Sequence, residues 1–110
     1  MGTIYRGVAR DHPGYADAQR GIARPRNPDG TITADEHNLA LDPANSPYTS
    51  WTHDLGVARI HAGPDGLILQ LETGLPPEGS TWRFEMSPDE FGELEVLIRG
   101  TIEHATVREA

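Results

Sequence analysis

The chain has 110 residues, which corresponds to a single domain over residues 1–110 with one hydrophobic core. It has no cysteine, which excludes disulfides and thiolate sites, and its five histidines lack metal-ligand spacing, so we expect no metal. Its 17 acidic residues and 9 arginines, with no lysine, give a net charge of −8, which argues against non-specific binding of nucleic acid. No apolar run reaches the length of a membrane span, so no membrane is expected among its partners.

The charge is uneven along the chain. Residues 1–62 carry six arginines and seven acidic residues, whereas residues 63–110 carry three arginines and ten acidic residues. The acidic second half is a candidate interaction surface. The more neutral first half leaves an RNA substrate open.

The first half predicts a strand, a helix and a long loop. Residues 3–9 alternate in the manner of a strand, and residues 14–22 place apolar side chains at helical spacing. The segment 23–47 is rich in proline and polar residues, with little periodicity. Loops of this length inside a compact domain are usually functional or mobile.

The second half predicts mainly strands around one helix. Residues 48–52 form a short strand, and Asp54 is a suitable N-cap for a helix over residues 55–62, which the turn 63–66 ends. Further strands are predicted at residues 67–72, 81–86, 94–99 and 101–107. The fold class is therefore α+β, with mostly antiparallel strands.

A pair of carboxylates, Glu93 and Glu95, stands at the start of the predicted strand 94–99. Side chains two residues apart in a strand share a face, where like charges repel and raise each other's proton affinity. Such a pair indicates a functional site. The alternative is a solvated edge that prevents strand-to-strand aggregation.

Three motifs stand in a fixed order along the chain: Tyr5-Arg6-Gly7, the strand 48–52 with Ser50, and the Glu93/Glu95 pair. They resemble the aromatic-Arg-Gly, the aromatic-x-Ser-Thr-Ser and the Glu-x-Glu motifs of mono-ADP-ribosyltransferases of the Arg–Ser–Glu type. The likeness is closest to toxin domains at the C-termini of bacterial polymorphic toxins. Trp51 and Thr52 depart from the Ser-Thr-Ser pattern, although the Thr52 hydroxyl can make the same hydrogen bond.

The resemblance implies a compact ADP-ribosyltransferase-like fold, with two packed antiparallel or mixed β-sheets and one or two short helices. It also implies NAD as co-substrate and a transition state with oxocarbenium character at the ribose. Glu95 would stabilise that charge and hold the ribose, while Arg6 would bind the pyrophosphate or ribose. Ser50 would orient the ribose or Glu95, and Glu93 would activate the incoming nucleophile.

Further residues follow from the same resemblance. Around NAD we expect Gly7, Tyr48, Thr49 and Thr52, together with Arg6 and Ser50. Phe91 would contact the acceptor from a substrate-recognition loop at residues 87–92. The length and charge of the loop 23–47, independently of the resemblance, predict that Arg24 and Arg26 fold over the phosphates. The histidines are expected at the surface, and Trp51 and Trp82 in the core.

The function implied is that of a toxin enzyme, a glycosyltransferase-class effector that transfers ADP-ribose from NAD to a protein or RNA. The same site with water as nucleophile would be an NAD glycohydrolase, and an acidic binding module without catalysis is a third possibility. A toxin would be secreted or injected as part of a larger protein and would act in the target-cell cytoplasm. Its producer would need an immunity protein as partner.

Overall fold

The computed structural model describes residues 2–33, 43–72, 82–86 and 95–109. Within these ranges the chain forms six β-strands, two α-helices and a short 3₁₀ helix at Pro43–Asn45. In chain order the elements are β1 Thr3–Val8, α1 Tyr15–Ala18, β2 Tyr48–Thr52, α2 Leu55–Ala62, β3 Leu67–Glu72, β4 Arg83–Met86, β5 Glu95–Arg99 and β6 Thr106–Glu109. The predicted α+β class is confirmed. No helix among the described residues is long and apolar enough to cross a membrane.

The described strands form one antiparallel sheet in the order β4-β5-β2-β1-β3-β6. The expectation of two packed sheets is therefore corrected for this part of the chain. There is one sheet because its two central strands are connected: β1 and β2 share a single register pair, Tyr5 with Thr52. That pair joins two three-stranded halves into one sheet, although β1 pairs with β3 along its whole length.

The core packs against the sheet and contains both tryptophans. Trp51 and Trp82 are 2% and 5% exposed, which confirms their predicted place in the core. Their indole N–H groups donate hydrogen bonds to Thr49 Oγ1 at 2.9 Å and to His104 Nε2 at 3.1 Å. These bonds remove the cost of burying an indole donor.

Helix α2 begins and ends where the sequence predicts. The Asp54 carboxylate accepts from the backbone N–H of Gly56 at 2.8 Å and from that of Val57 at 3.4 Å. The helix ends at Gly63, whose φ of 70° belongs to the left-handed region that glycine adopts without strain.

The same helix packs closely on strand β1. The buried Ala58 and Ala62 face Gly7, where an added Cβ would overlap the Ala58 carbonyl oxygen and crowd the Ala62 nitrogen. Gly7 is therefore required for the close approach of α2 to β1, next to Arg6.

Two predicted elements differ from the structure. The helix predicted over residues 14–22 is the single turn Tyr15–Ala18, because Gly21, at φ 75°, places the N–H of Ile22 on the carbonyl of Asp17 and closes the helix. The last strand begins at Thr106 instead of residue 101. Ile102 instead forms an isolated bridge with Ala23, just after the positive φ of Gly100.

Candidate functional site

A cavity of about 320 Å³ opens where β1 meets β2, and α2 forms its opposite wall. Strand β1 contributes Arg6 and Gly7, and β2 contributes Ser50 and Thr52. Four residues that the sequence predicts for one site therefore line one cavity, although the two strands are more than forty positions apart.

Arg6 carries the main charge of the cavity. Its side chain is partly buried, and its Nη1 donates a hydrogen bond to the Ser50 carbonyl oxygen at 3.0 Å. Among the residues whose side chains the structure describes, the one ion pair joins Arg24 to Asp17, and Arg6 forms none. Burial lowers the pKa of the Arg6 guanidinium to about 10. The group is still protonated at neutral pH, and a desolvated cation of this kind favours an anionic ligand.

Thr52 lies in the row of paired residues that runs across the strands β1, β2 and β5. Its Oγ1 accepts a hydrogen bond from the Asp54 backbone N–H at 3.0 Å, which links the end of β2 to the start of α2. In the ladder Thr52 pairs with Tyr5 on one side and with Glu95 on the other. The register therefore puts position 95 one strand beyond β2, about 10 Å from β1 at the usual strand spacing.

Two further predicted residues lie outside the described part of the chain. These are Glu93 and the loop residue Phe91, together with the rest of the loop at residues 87–92. The long segment 23–47 is described up to residue 33 and again from residue 43. Of its arginines, Arg24 pairs with Asp17 at 3.5 Å, and Arg26 lies close enough to His12 to influence its titration.

Tyr48 and Thr49 are the predicted NAD-binding residues that the structure does not bring to the cavity. Tyr48 is 6% exposed, and its hydroxyl accepts a hydrogen bond from Arg99 Nη1 at 3.4 Å. The Arg99 guanidinium also lies 5.7 Å from the Tyr48 ring centroid and donates to the Gly30 carbonyl at 3.2 Å. Thr49 is buried beneath Trp51, on the opposite face of β2 from Ser50.

Two histidines line the cavity, although the sequence predicts them only at the surface. Both His12, after β1, and His61, in the last turn of α2, are exposed, but they stand at the cavity wall. Their separation of 49 positions gives no spacing signal. The available signal was weaker: His61 lies one helical turn from Val57 and Ala58, which also face the cavity.

His12 has a defined electrostatic environment. Its Nδ1 accepts a hydrogen bond from the Gly14 backbone N–H at 2.8 Å. The pKa of His12 is lowered, first by partial burial and then by the charges of Arg6 and Arg26, against a smaller opposing effect of Asp11. The ring is therefore neutral at pH 7.

No protein family, curated protein or solved structure matches this chain. Among the described residues, no group of three or more histidine or carboxylate side chains is arranged to hold a metal ion.

Proposed function

We propose that this domain is a toxin-type, NAD-dependent mono-ADP-ribosyltransferase that transfers ADP-ribose to a macromolecular target. The observation that carries the proposal is the convergence of Arg6 and Ser50 on one cavity, with position 95 paired to Thr52 at its edge. Under this proposal the adjacent strands β5, β2 and β1 form the centre of an ADP-ribosyltransferase-like fold.

Arg6 suits the diphosphate of NAD. A guanidinium offers two parallel N–H groups to phosphate oxygens, which an ammonium cannot reproduce. Among the side chains that the structure describes, Arg6 makes one hydrogen bond, to a neutral carbonyl, and no ion pair. A bound diphosphate would offset the desolvation that lowers its pKa.

Glu95 is the residue proposed to act at the reacting carbon. Loss of nicotinamide leaves positive charge on the ribose, and a fixed carboxylate beside it lowers the barrier. The leaving group departs as a neutral ring and therefore needs no general acid. The hydroxyls of Ser50 and Thr52 would orient the ribose, and Glu93 would activate the acceptor.

The size of the cavity is compatible with part of a dinucleotide. Its volume of about 320 Å³ lies at the lower end of the range for ligand pockets, about 300–1,000 Å³. We therefore expect the cavity to hold the diphosphate and the nearby ribose, with the rest of NAD extending over the surface.

The proposed biological setting is that of a toxin. The domain would be delivered by secretion or injection as part of a larger protein and would modify a protein or RNA in the cytoplasm of the target cell. An immunity protein would then protect the producing cell by blocking the cavity.

The test is incubation of the protein with NAD and a susceptible cell lysate. Nicotinamide release and a mass increase of one ADP-ribose unit on an acceptor are expected. Arg6→Lys should reduce both by about tenfold or more, because lysine cannot make the paired hydrogen bonds of the guanidinium to the charged diphosphate. The exposed Arg20→Lys is the matched control and should behave as the wild type.

The outcomes separate the candidate functions. Free ADP-ribose without any adduct would indicate an NAD glycohydrolase acting through the same site. Neither binding nor consumption of NAD by the wild type would contradict both enzyme functions and leave a binding module.

A further inference from the structure

We propose that His12 is a further ligand-binding residue of the cavity, which donates an Nε2–H hydrogen bond to a phosphate oxygen of the bound dinucleotide. The identity of the ligand rests on the proposed function. The role of His12 as a donor rests on its own geometry.

The hydrogen bond from Gly14 fixes the tautomer of the His12 ring. A backbone N–H can only donate, so the Nδ1 atom that it contacts at 2.8 Å must present its lone pair. In a neutral imidazole the proton is then on Nε2. His12 is therefore a donor at Nε2 and cannot serve there as a base.

The position of His12 makes an anionic acceptor the suitable partner. The ring lines the same cavity as Arg6, and Arg26, from the segment after α1, also acts on its titration. Asp11 is the carboxylate that acts on the ring from its own segment, and His61 lines the cavity from α2. The guanidinium of Arg6 and the ring of His12 thus line one cavity, and the charge of Arg26 acts on the same ring. A phosphate oxygen accepts hydrogen bonds both from a guanidinium and from a neutral imidazole N–H.

An anion bound here would also change the charge balance at His12. Without a ligand, the partial burial of the ring and then the charges of the two arginines disfavour the imidazolium form. A diphosphate would neutralise part of that field, so ligand binding should raise the pKa of His12.

The first experiment measures dissociation constants by calorimetry with ADP-ribose, inorganic pyrophosphate and nicotinamide riboside, which carries no phosphate. His12→Phe should weaken ADP-ribose and pyrophosphate by about tenfold or more, the effect of losing a hydrogen bond to a charged group. His12→Gln keeps an amide N–H near the position of Nε2 and should bind within about threefold of the wild type. The exposed His53→Gln is the control and should leave binding unchanged.

The three ligands distinguish the two proposals. If the wild type binds ADP-ribose and His12→Phe binds it equally well, the role of His12 is overturned and the proposed function stands. Equal weakening of nicotinamide riboside in His12→Phe would also overturn that role. If pyrophosphate binding depends on His12 but neither ADP-ribose nor NAD binds, the role of His12 is supported and the proposed function fails.

The second experiment reads the ring directly, by long-range ¹⁵N–¹H NMR of the wild type. It should show a proton on Nε2 and none on Nδ1 at pH 7.5, with a shift of the Nε2 signal and a raised pKa when ADP-ribose is added. A proton on Nδ1, or a pKa that does not rise with ligand, would overturn the proposal.

Discussion

At the scale of single residues, Arg6 is the most informative side chain of the cavity. Strand β1 places it beside Ile4 and Val8, which are buried in the core, yet its charged group reaches the cavity. Its hydrogen bond to the Ser50 carbonyl joins β1 to β2 next to their single register pair. Among the described residues this partly buried cation is hydrogen-bonded to a neutral acceptor, and a desolvated cation favours an anionic ligand.

The two glutamates are predicted to have different tasks. Glu93→Gln should eliminate transfer to the acceptor but spare part of the hydrolysis of NAD, because the proposed task of Glu93 is to activate the acceptor group, whereas Glu95 promotes loss of nicotinamide in both reactions. Adduct formation and free ADP-ribose, measured in the same reaction, test this division. Equal loss of transfer and hydrolysis would show that Glu93 is needed for breaking the nicotinamide bond itself.

His12 should make the stability of the fold depend on pH. Its pKa in the folded protein lies below its ordinary value of about 6.5. The neutral ring therefore stabilises the fold fully above that value, and the contribution is lost as the pH falls through the folded pKa. The physical causes are the partial burial of the ring, which penalises its charged form, and then the positive charges of Arg6 and Arg26.

Chemical unfolding of the wild type and His12→Gln between pH 5 and pH 8 measures this effect. The difference in free energy of unfolding between the two proteins should shrink below about pH 6.5. A difference that is constant over this range, or that grows at low pH, would contradict the assignment.

At the scale of elements, helix α2 is a wall of the cavity whose start depends on one side chain. Asp54→Ala should lower the free energy of unfolding by about 1 kcal/mol, because two backbone N–H groups lose their acceptor. Asp54→Asn keeps a capping oxygen and is the matched control, with a loss of only a few tenths. Denaturant titration checks both, and an Asp54→Ala variant as stable as the wild type would contradict the cap.

The elements that the sequence predicts correctly are those with strong local signals. Helix α2 and strands β2 and β3 match because an N-cap, a glycine stop or an apolar run marks their bounds. Helix α1 is shorter than its periodicity indicates, because Gly21 closes it through main-chain bonds that periodicity does not register. The start of β6 was misplaced because Ile102 pairs with the distant Ala23, a contact that no local pattern contains.

The candidate site likewise contains residues that the sequence predicts correctly and residues that it does not. Arg6, Gly7, Ser50 and Thr52 were predicted for one site from the order of the motifs, and they line one cavity. Tyr48 was assigned from its neighbours in sequence, but it lies at the far end of β2, where Arg99 holds it. The histidines were not assigned to the site, because their place at the cavity depends on how β1 and α2 pack, which their spacing in sequence does not indicate.

At the scale of the whole molecule, the fold concentrates positive charge that the composition conceals. The chain has a net charge of −8, yet Arg6 lines the cavity and the charge of Arg26 acts on the cavity residue His12, and both arginines belong to the nearly balanced first half. Such a distribution favours a small anionic ligand at the cavity while the acidic remainder repels extended nucleic acid. A dinucleotide fits this pattern better than a nucleic-acid backbone.

The central claim is that a carboxylate at position 95 promotes loss of nicotinamide from a dinucleotide bound at Arg6. The most direct measurement is the rate of nicotinamide release from NAD by the wild type, by Glu95→Gln and by the control Glu103→Gln, whose side chain is exposed. We predict release by the wild type and by Glu103→Gln, and a loss of about a hundredfold or more in Glu95→Gln, the size of effect expected for one electrostatic group at the reacting centre. Release by Glu95→Gln at the wild-type rate would contradict the account.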